Sequence, residues 1–136
     1  AAGLDRLRRH DVGTPIPTNI LLPAPAQGAV GVEIRADDAH AREMLRAIDH
    51  VETHACIAAE RALLAALKAG CHSPVAALAT IAGGILTLEA ELLSEDGAAH
   101  VHGAIEGAPL DHALPAALAR DLLARAPAAV RRLFEG

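Results

Sequence analysis

Cys71 lies in the stretch AALKAGCHSPVAALA, where a helical pattern gives way to a strand pattern. Its thiol could act as a packed apolar group, a metal ligand, a nucleophile or a point of covalent attachment. Gly70 reads as a helix stop and Pro74 as the end of a short loop, so the backbone position of Cys71 is defined while its side chain stands off either periodicity. An activated thiolate gains from a helix N-terminus or a neighbouring base. This one follows a helix C-terminus, where the dipole disfavours an anion, so nucleophilic catalysis is disfavoured. On residue types alone, a semi-buried structural thiol in a tight loop and an attachment site both stay open.

The second cysteine has a different setting. At about 100° per residue, Leu63, Cys56, Leu67, Leu64 and Ile57 span an apolar arc of about 120° on one helix, so Cys56 is expected to pack in the core. Glu60 projects from the middle of that arc and must find Arg61, another cation or backbone N–H groups. The eight histidines raise the question of a metal centre, with His100, His102, Cys71 and His72 as the obvious ligands. His100 and His102 share a strand face with Glu106, opposite Val101 and Ile105, which is a solvent-facing pattern. No CxxC or HExxH module accompanies them, and no metal site is expected.

The elements that must hold these residues follow from periodicity. Residues 1 to about 28 are broken by Pro15, Pro17, Pro23 and Pro25 and read as a helix end followed by a proline-rich connector. GAVGVEIRA, from Gly28 to Ala36, alternates Val30, Val32 and Ile34 with small or charged residues and predicts a strand. Asp37 or Asp38 can cap a helix with Ala41, Met44, Leu45 and Ile48 on one stripe. A second helix is expected from about Asp49 to Ala69, with Asp49 and Glu52 at capping-box spacing and Gly70 in the left-handed position after its end. VAALATIA, ILTLEAELL and AAHVHGAIEG, joined by GG and SEDG, predict a three-stranded antiparallel meander. Asp111 can cap a helix carrying Leu114, Leu118 and Leu122, and Pro127 opens a short helix ending at Phe134. The expected class is α+β, with helices on one face of a small sheet. Residues 1–48 lack a second complete core and read as part of something larger.

Bulk composition narrows the function classes. The 136 residues are 52% hydrophobic, enough for a core, and Phe134 is the only aromatic, so stacking on nucleobases is not expected. Twelve Lys and Arg stand against 17 Asp and Glu, for a formal charge of −5, which argues against a nucleic-acid surface. Charged residues or glycine interrupt every apolar run, so a soluble protein outside the membrane is expected. Two cysteines in unlike settings do not form a disulfide framework, which favours a reducing cytoplasmic compartment. The opening AAGLDRL has neither Met nor a signal-like segment, so part of a longer protein is expected.

AGLDRL, LPAPAQGAVGVEIRADD, AIDHVET, AERALLAAL and AGCHSPVAALA occur in this order and together resemble hydroxymethylbilane synthase, also called porphobilinogen deaminase. The resemblance implies that Cys71 is the attachment point, through a thioether, of a dipyrromethane cofactor. Four porphobilinogens are then joined on that anchor with loss of ammonia, in tetrapyrrole and haem biosynthesis. It also implies that Arg6 binds carboxylates of the pyrroles and that Gln27 and Gly28 bring polar and backbone donors close to them. Residues 1–22 would be the end of domain 2, and 23–48 a returning strand and helix of domain 1. These two domains are periplasmic-binding-protein-like, and 49–136 would be the C-terminal cofactor-attachment domain.

The chain departs from the family pattern at Ala69, where the loop usually has a second glycine, and at Ala26, where a glycine commonly precedes the glutamine. The family's catalytic aspartate and its arginine-rich region would lie upstream of Ala1, so no catalytic residue is assigned here and the chain alone is expected to be inactive. The implied partners are porphobilinogen and the missing N-terminal part of the same enzyme, a monomer when full length. The competing expectation is a stand-alone, non-catalytic binding or scaffold domain that keeps the fold.

Overall fold

A computed structural model describes residues 2–134. In chain order the elements are α1 (Ala2–Arg6), α2 (Ala39–Arg46), α3 (Val51–Ala66), β1 (Val75–Ala82), β2 (Ile85–Leu93), β3 (His100–Gly107), α4 (Ala113–Arg125) and α5 (Ala128–Arg131). The strands form one antiparallel sheet in the order β1-β2-β3, as the meander pattern predicts. Gly83 and Gly84 both take positive φ, 58° and 78°, between the paired ends Ala82 and Ile85, the conformation that a two-residue hairpin turn demands.

Alternation along each strand puts Ala77 and Ala79, then Leu86, Leu88, Ala90 and Leu92, then Val101 on the buried face. Against that face lie α3 and α4, which also pack on each other. The buried residues of α3 include Ala55, Ala59 and Leu63, a four-residue ridge that Leu67 continues just past the helix end. On α4 the corresponding residues are Pro115, Leu118, Ala119 and Leu122. Each fully buried leucine contributes about 1.5–3 kcal/mol relative to an exposed one, so this largely aliphatic cluster, with Phe134 as its one aromatic member, carries the stability. β3 turns Gly103 and Gly107 toward α4, and a Cβ on Gly107 would sit 2.6 Å from Leu114 Cδ1. Absence of side chains there lets the helix lie close.

Four local expectations are corrected. Residues 28–36 form no strand, and Val30 and Val32 are 92% and 59% exposed. A strand needs a neighbour to satisfy its N–H and C=O groups, and no strand lies beside this segment among the described residues. Second, α3 is capped by His50, whose Nδ1 accepts the Thr53 N–H at 3.2 Å, while Asp49 pairs with His54. Third, the left-handed residue after α3 is Lys68 (φ 53°), not Gly70, and the N–H groups of Lys68 and Ala69 bond to Ala65 O and Leu64 O in the 5→2 and 6→1 Schellman pattern. Fourth, α4 begins after His112, with Asp111 reaching the Ala113 N–H at 2.9 Å. The cap of α2 is Asp38, one of the two expected.

Residues 3–48 contribute one buried side chain, Leu22. The predicted stripe of α2 is largely bare, with Met44 63% and Ile48 72% exposed.

Candidate functional site

The Schellman ending of α3 delivers the chain into a tight turn. Ser73 N–H donates to Gly70 O at 3.1 Å, and Ser73 Oγ accepts the Gly70 N–H at 2.9 Å. Val75 N–H then donates to Ser73 O at 2.8 Å as β1 begins. Cys71 occupies the second position of this doubly closed turn, a free thiol on an exposed rather than semi-buried residue. The backbone is fixed from both sides while the residue itself is exposed. Ser73, to which sequence reasoning assigned no role, is what closes the loop. Its signal was a hydroxyl residue just before Pro74, where side chain-to-backbone turns are common.

Gln27 and Gly28 sit on a second turn. Gln27 N–H donates to Ala24 O at 3.1 Å, Ala29 N–H donates to Ala26 O at 3.2 Å, and Gly28 has φ +81°. A Cβ on Gly28 would meet nothing within 4 Å, so glycine is required there for its conformation and not for space. Ala26 has φ +59° and thus keeps the glycine-like backbone despite its side chain. Both Gln27 and Gly28 are exposed.

Glu60 ties this turn to the sheet. Its side chain is buried, with the residue 3% exposed, and it accepts the Ala26 N–H at 2.6 Å and the Ala79 N–H at 2.7 Å. Backbone donors, not Arg61, satisfy the carboxylate. Ala77 N–H donates to Pro23 O at 3.0 Å, so the outer edge of β1 is covered by the connector. A hollow of about 340 Å³ lies beside it, lined by Pro23, Gln27, Thr53, Cys56, Glu60 and Ala79 among others. Cys71 is not part of it.

Cys56 is half-buried in that hollow and packs against the core. Burial first, then the charges of Glu60 and Glu52, push its thiol pKa up, away from reactivity. His100 and His102 lie on the open face of the sheet, where they pair with Glu91 and Glu89 of β2. Among the described residues, no group of three or more His, Cys, Asp or Glu side chains could hold a metal ion. Arg6 is exposed on α1, and among the described residues its guanidinium engages no partner. The structure therefore joins Gln27 and Gly28 to the β1 edge, and leaves Arg6 tied to neither turn.

Comparison with known families decides the lineage. Residues 54–124 match the model of the porphobilinogen deaminase C-terminal domain, and residues 1–43 match that of the porphobilinogen deaminase dipyromethane cofactor binding domain. The chain belongs to the porphobilinogen deaminase family. It is 55% identical over 98% of its length to a porphobilinogen deaminase of Sphingopyxis alaskensis and 48% identical over 92% to one of Moorella thermoacetica. A relative from Corynebacterium diphtheriae is 42% identical over 95% of the chain. The chain spans 42%, 41% and 45% of the length of these three relatives. Arg6, Gln27 and Gly28 fall in the first matched segment and Cys71 in the second.

The donor set fits the family's cofactor. A linked pair of pyrroles bearing acetate and propionate groups needs one outward nucleophilic side chain for a permanent tether, and cations or N–H groups for its carboxylates. Cys71 presents an exposed thiol of the first kind, and Arg6, Gln27 and Gly28 present exposed donors of the second. No helix among the described residues is long and apolar enough to cross a membrane.

Proposed function

We propose that this chain is the C-terminal part of a cytoplasmic hydroxymethylbilane synthase, which joins four porphobilinogens with release of four ammonia molecules. Its dipyrromethane anchor is held through a thioether on Cys71. The observation that carries this reading is the Cys71 turn: an exposed thiol on a backbone closed by Ser73 on one side and the Schellman bonds on the other. In this assignment residues 1–22 end domain 2, 23–48 return to domain 1, and 49–136 form the attachment domain. The enzyme acts as a monomer.

Each residue has a separate task. Cys71 Sγ holds the cofactor by a carbon–sulfur bond, which neither exchanges like a disulfide nor needs a depressed thiol pKa once made. The dipyrromethane, when bound, supplies the covalent anchor on which the pyrroles are retained. Arg6 offers a planar fork to a carboxylate, and among the described residues no partner occupies its donors. Gln27 donates through its amide, and the Gly28 turn allows close backbone approach. Proton transfer at the pyrrole falls to groups outside this chain.

The test joins this chain to the N-terminal portion of the Sphingopyxis alaskensis relative. The chimera is expected to consume porphobilinogen and to carry a dipyrrole mass on the peptide containing Cys71. Cys71→Ser is expected to abolish both. A chimera that folds yet carries no adduct would favour the second reading, a non-catalytic binding domain, which rests on the self-contained core of α3, α4 and the sheet.

A further inference from the structure

We infer that Glu60 is a positioning residue, which locks the Gln27–Gly28 turn onto β1 and thereby holds it in register with the Cys71 loop. This inference rests on the reading of Gln27 and Gly28 as pyrrole-binding donors.

The argument begins with the chemistry of a buried carboxylate. Removing Glu60 from water is tolerated only because two N–H donors replace its hydration, and charge-assisted bonds of this kind are about twice as strong as neutral ones. The two donors come from different parts of the fold. Ala26 directly precedes Gln27, and Ala79 lies on the strand that leaves the Cys71 turn. Glu60 itself stands on α3, the helix that enters that turn. One side chain therefore joins the Gln27 turn to both elements flanking Cys71.

The remaining attachments of the turn are few. Pro23 O accepts from Ala77, and Leu22 is the one buried side chain of residues 3–48. Ala26 is also held at φ +59°, a conformation that alanine leaves readily when unconstrained. Without the carboxylate, the turn has no other side-chain bond to keep it in this shape among the described residues. A turn that is only fractionally in the competent shape raises the apparent dissociation constant by the inverse of that fraction, while saturating ligand restores the ordered form. The signature of Glu60 loss is thus a rise in KM with kcat little changed.

The substitution that isolates this role is Glu60→Gln, which keeps size but sets an amide N–H₂ against one of the two backbone donors. In the 136-residue chain, hydrogen exchange at Ala26 and Ala79 is expected to be slow and to accelerate about tenfold in the variant, with β2 and β3 still protected. In the chimera, the variant is expected to keep the Cys71 adduct and to raise KM for porphobilinogen about tenfold, with kcat within about twofold. Exchange that accelerates equally through β2 and β3 would make Glu60 a general core group and overturn the inference, as would an unchanged KM. Should the variant fail to fold, the parent chain decides: an Ala26 amide exchanging as fast as those of the exposed 30–36 segment refutes the lock. A parent chimera without porphobilinogen turnover would refute the proposed function, while the exchange arm would still judge Glu60.

Discussion

The carboxylate of Glu60 accepts the Ala26 N–H at 2.6 Å across a separation of 34 residues, and with it the proline-rich connector becomes part of the sheet edge. Its second oxygen takes the Ala79 N–H. Glu60→Ala removes both acceptors and strands two N–H groups at about 1–3 kcal/mol each. A loss of about 3 kcal/mol in urea unfolding is expected. A loss below about 1 kcal/mol would mean that water reaches the site.

Three non-glycine residues stand in the left-handed region, Arg8 after α1, Ala26 in the connector turn and Lys68 after α3, with φ 54°, 59° and 53°. The L-residue penalty there is about 1–2 kcal/mol, partly offset by the greater unfolded-state freedom of glycine. Ala26→Gly is expected to raise stability by about 0.5–1 kcal/mol, read by thermal unfolding. Destabilisation would place that backbone outside the left-handed region.

The two thiols are expected to differ in reactivity. Cys71 is exposed, whereas Cys56 is half-buried with its pKa raised by burial and by Glu60 and Glu52. Iodoacetamide at neutral pH is expected to label Cys71 at least about tenfold faster, as followed by peptide mass. Equal rates would show that the hollow beside Cys56 opens freely.

The β2–β3 turn is locked by Ser94, which is buried, donates to Asp96 and accepts the Ala99 N–H at 2.9 Å. The Ser94 hydroxyl, followed by the Ala98 N–H, holds the Asp96 pKa below the usual carboxylate value. Because the folded pKa is depressed, its contribution is present above the unfolded value near 3.9 and is lost as pH falls through the folded one. Ser94→Ala is expected to lower the melting temperature at pH 7 and to flatten its decline below about pH 4. An unchanged acid limb in that variant would assign the decline to other carboxylates, such as Asp121, whose pKa Arg125 lowers.

Much of the C-terminal unit was legible because its elements are locally consistent. The strands VAALATIA and ILTLEAELL have their predicted bounds, since strict alternation and a GG turn agree with burial. The solvent face of His100 and His102 was legible for the same reason. Less legible were features that depend on a distant partner. The pattern at Val30 and Val32 is that of a strand, yet a strand needs a neighbour, and no periodicity reveals its absence. The buried position of Glu60 was readable from its arc, whereas its partners, two backbone N–H groups 34 and 19 positions away, were not. Gly70 was the natural choice for the left-handed position by residue type, but the helix ends early, at Ala66, so the left-handed position falls two residues sooner and Lys68 takes the strain.

The central claim is that Cys71, and not Cys56, carries the dipyrrole. The direct measurement is the intact and peptide mass of the chimera after exposure to porphobilinogen, compared among the parent, Cys71→Ser and Cys56→Ala. The account predicts a covalent dipyrrole mass on the Cys71 peptide in the parent and in Cys56→Ala, and none in Cys71→Ser. An adduct on Cys56, or one that persists undiminished in Cys71→Ser, would contradict it.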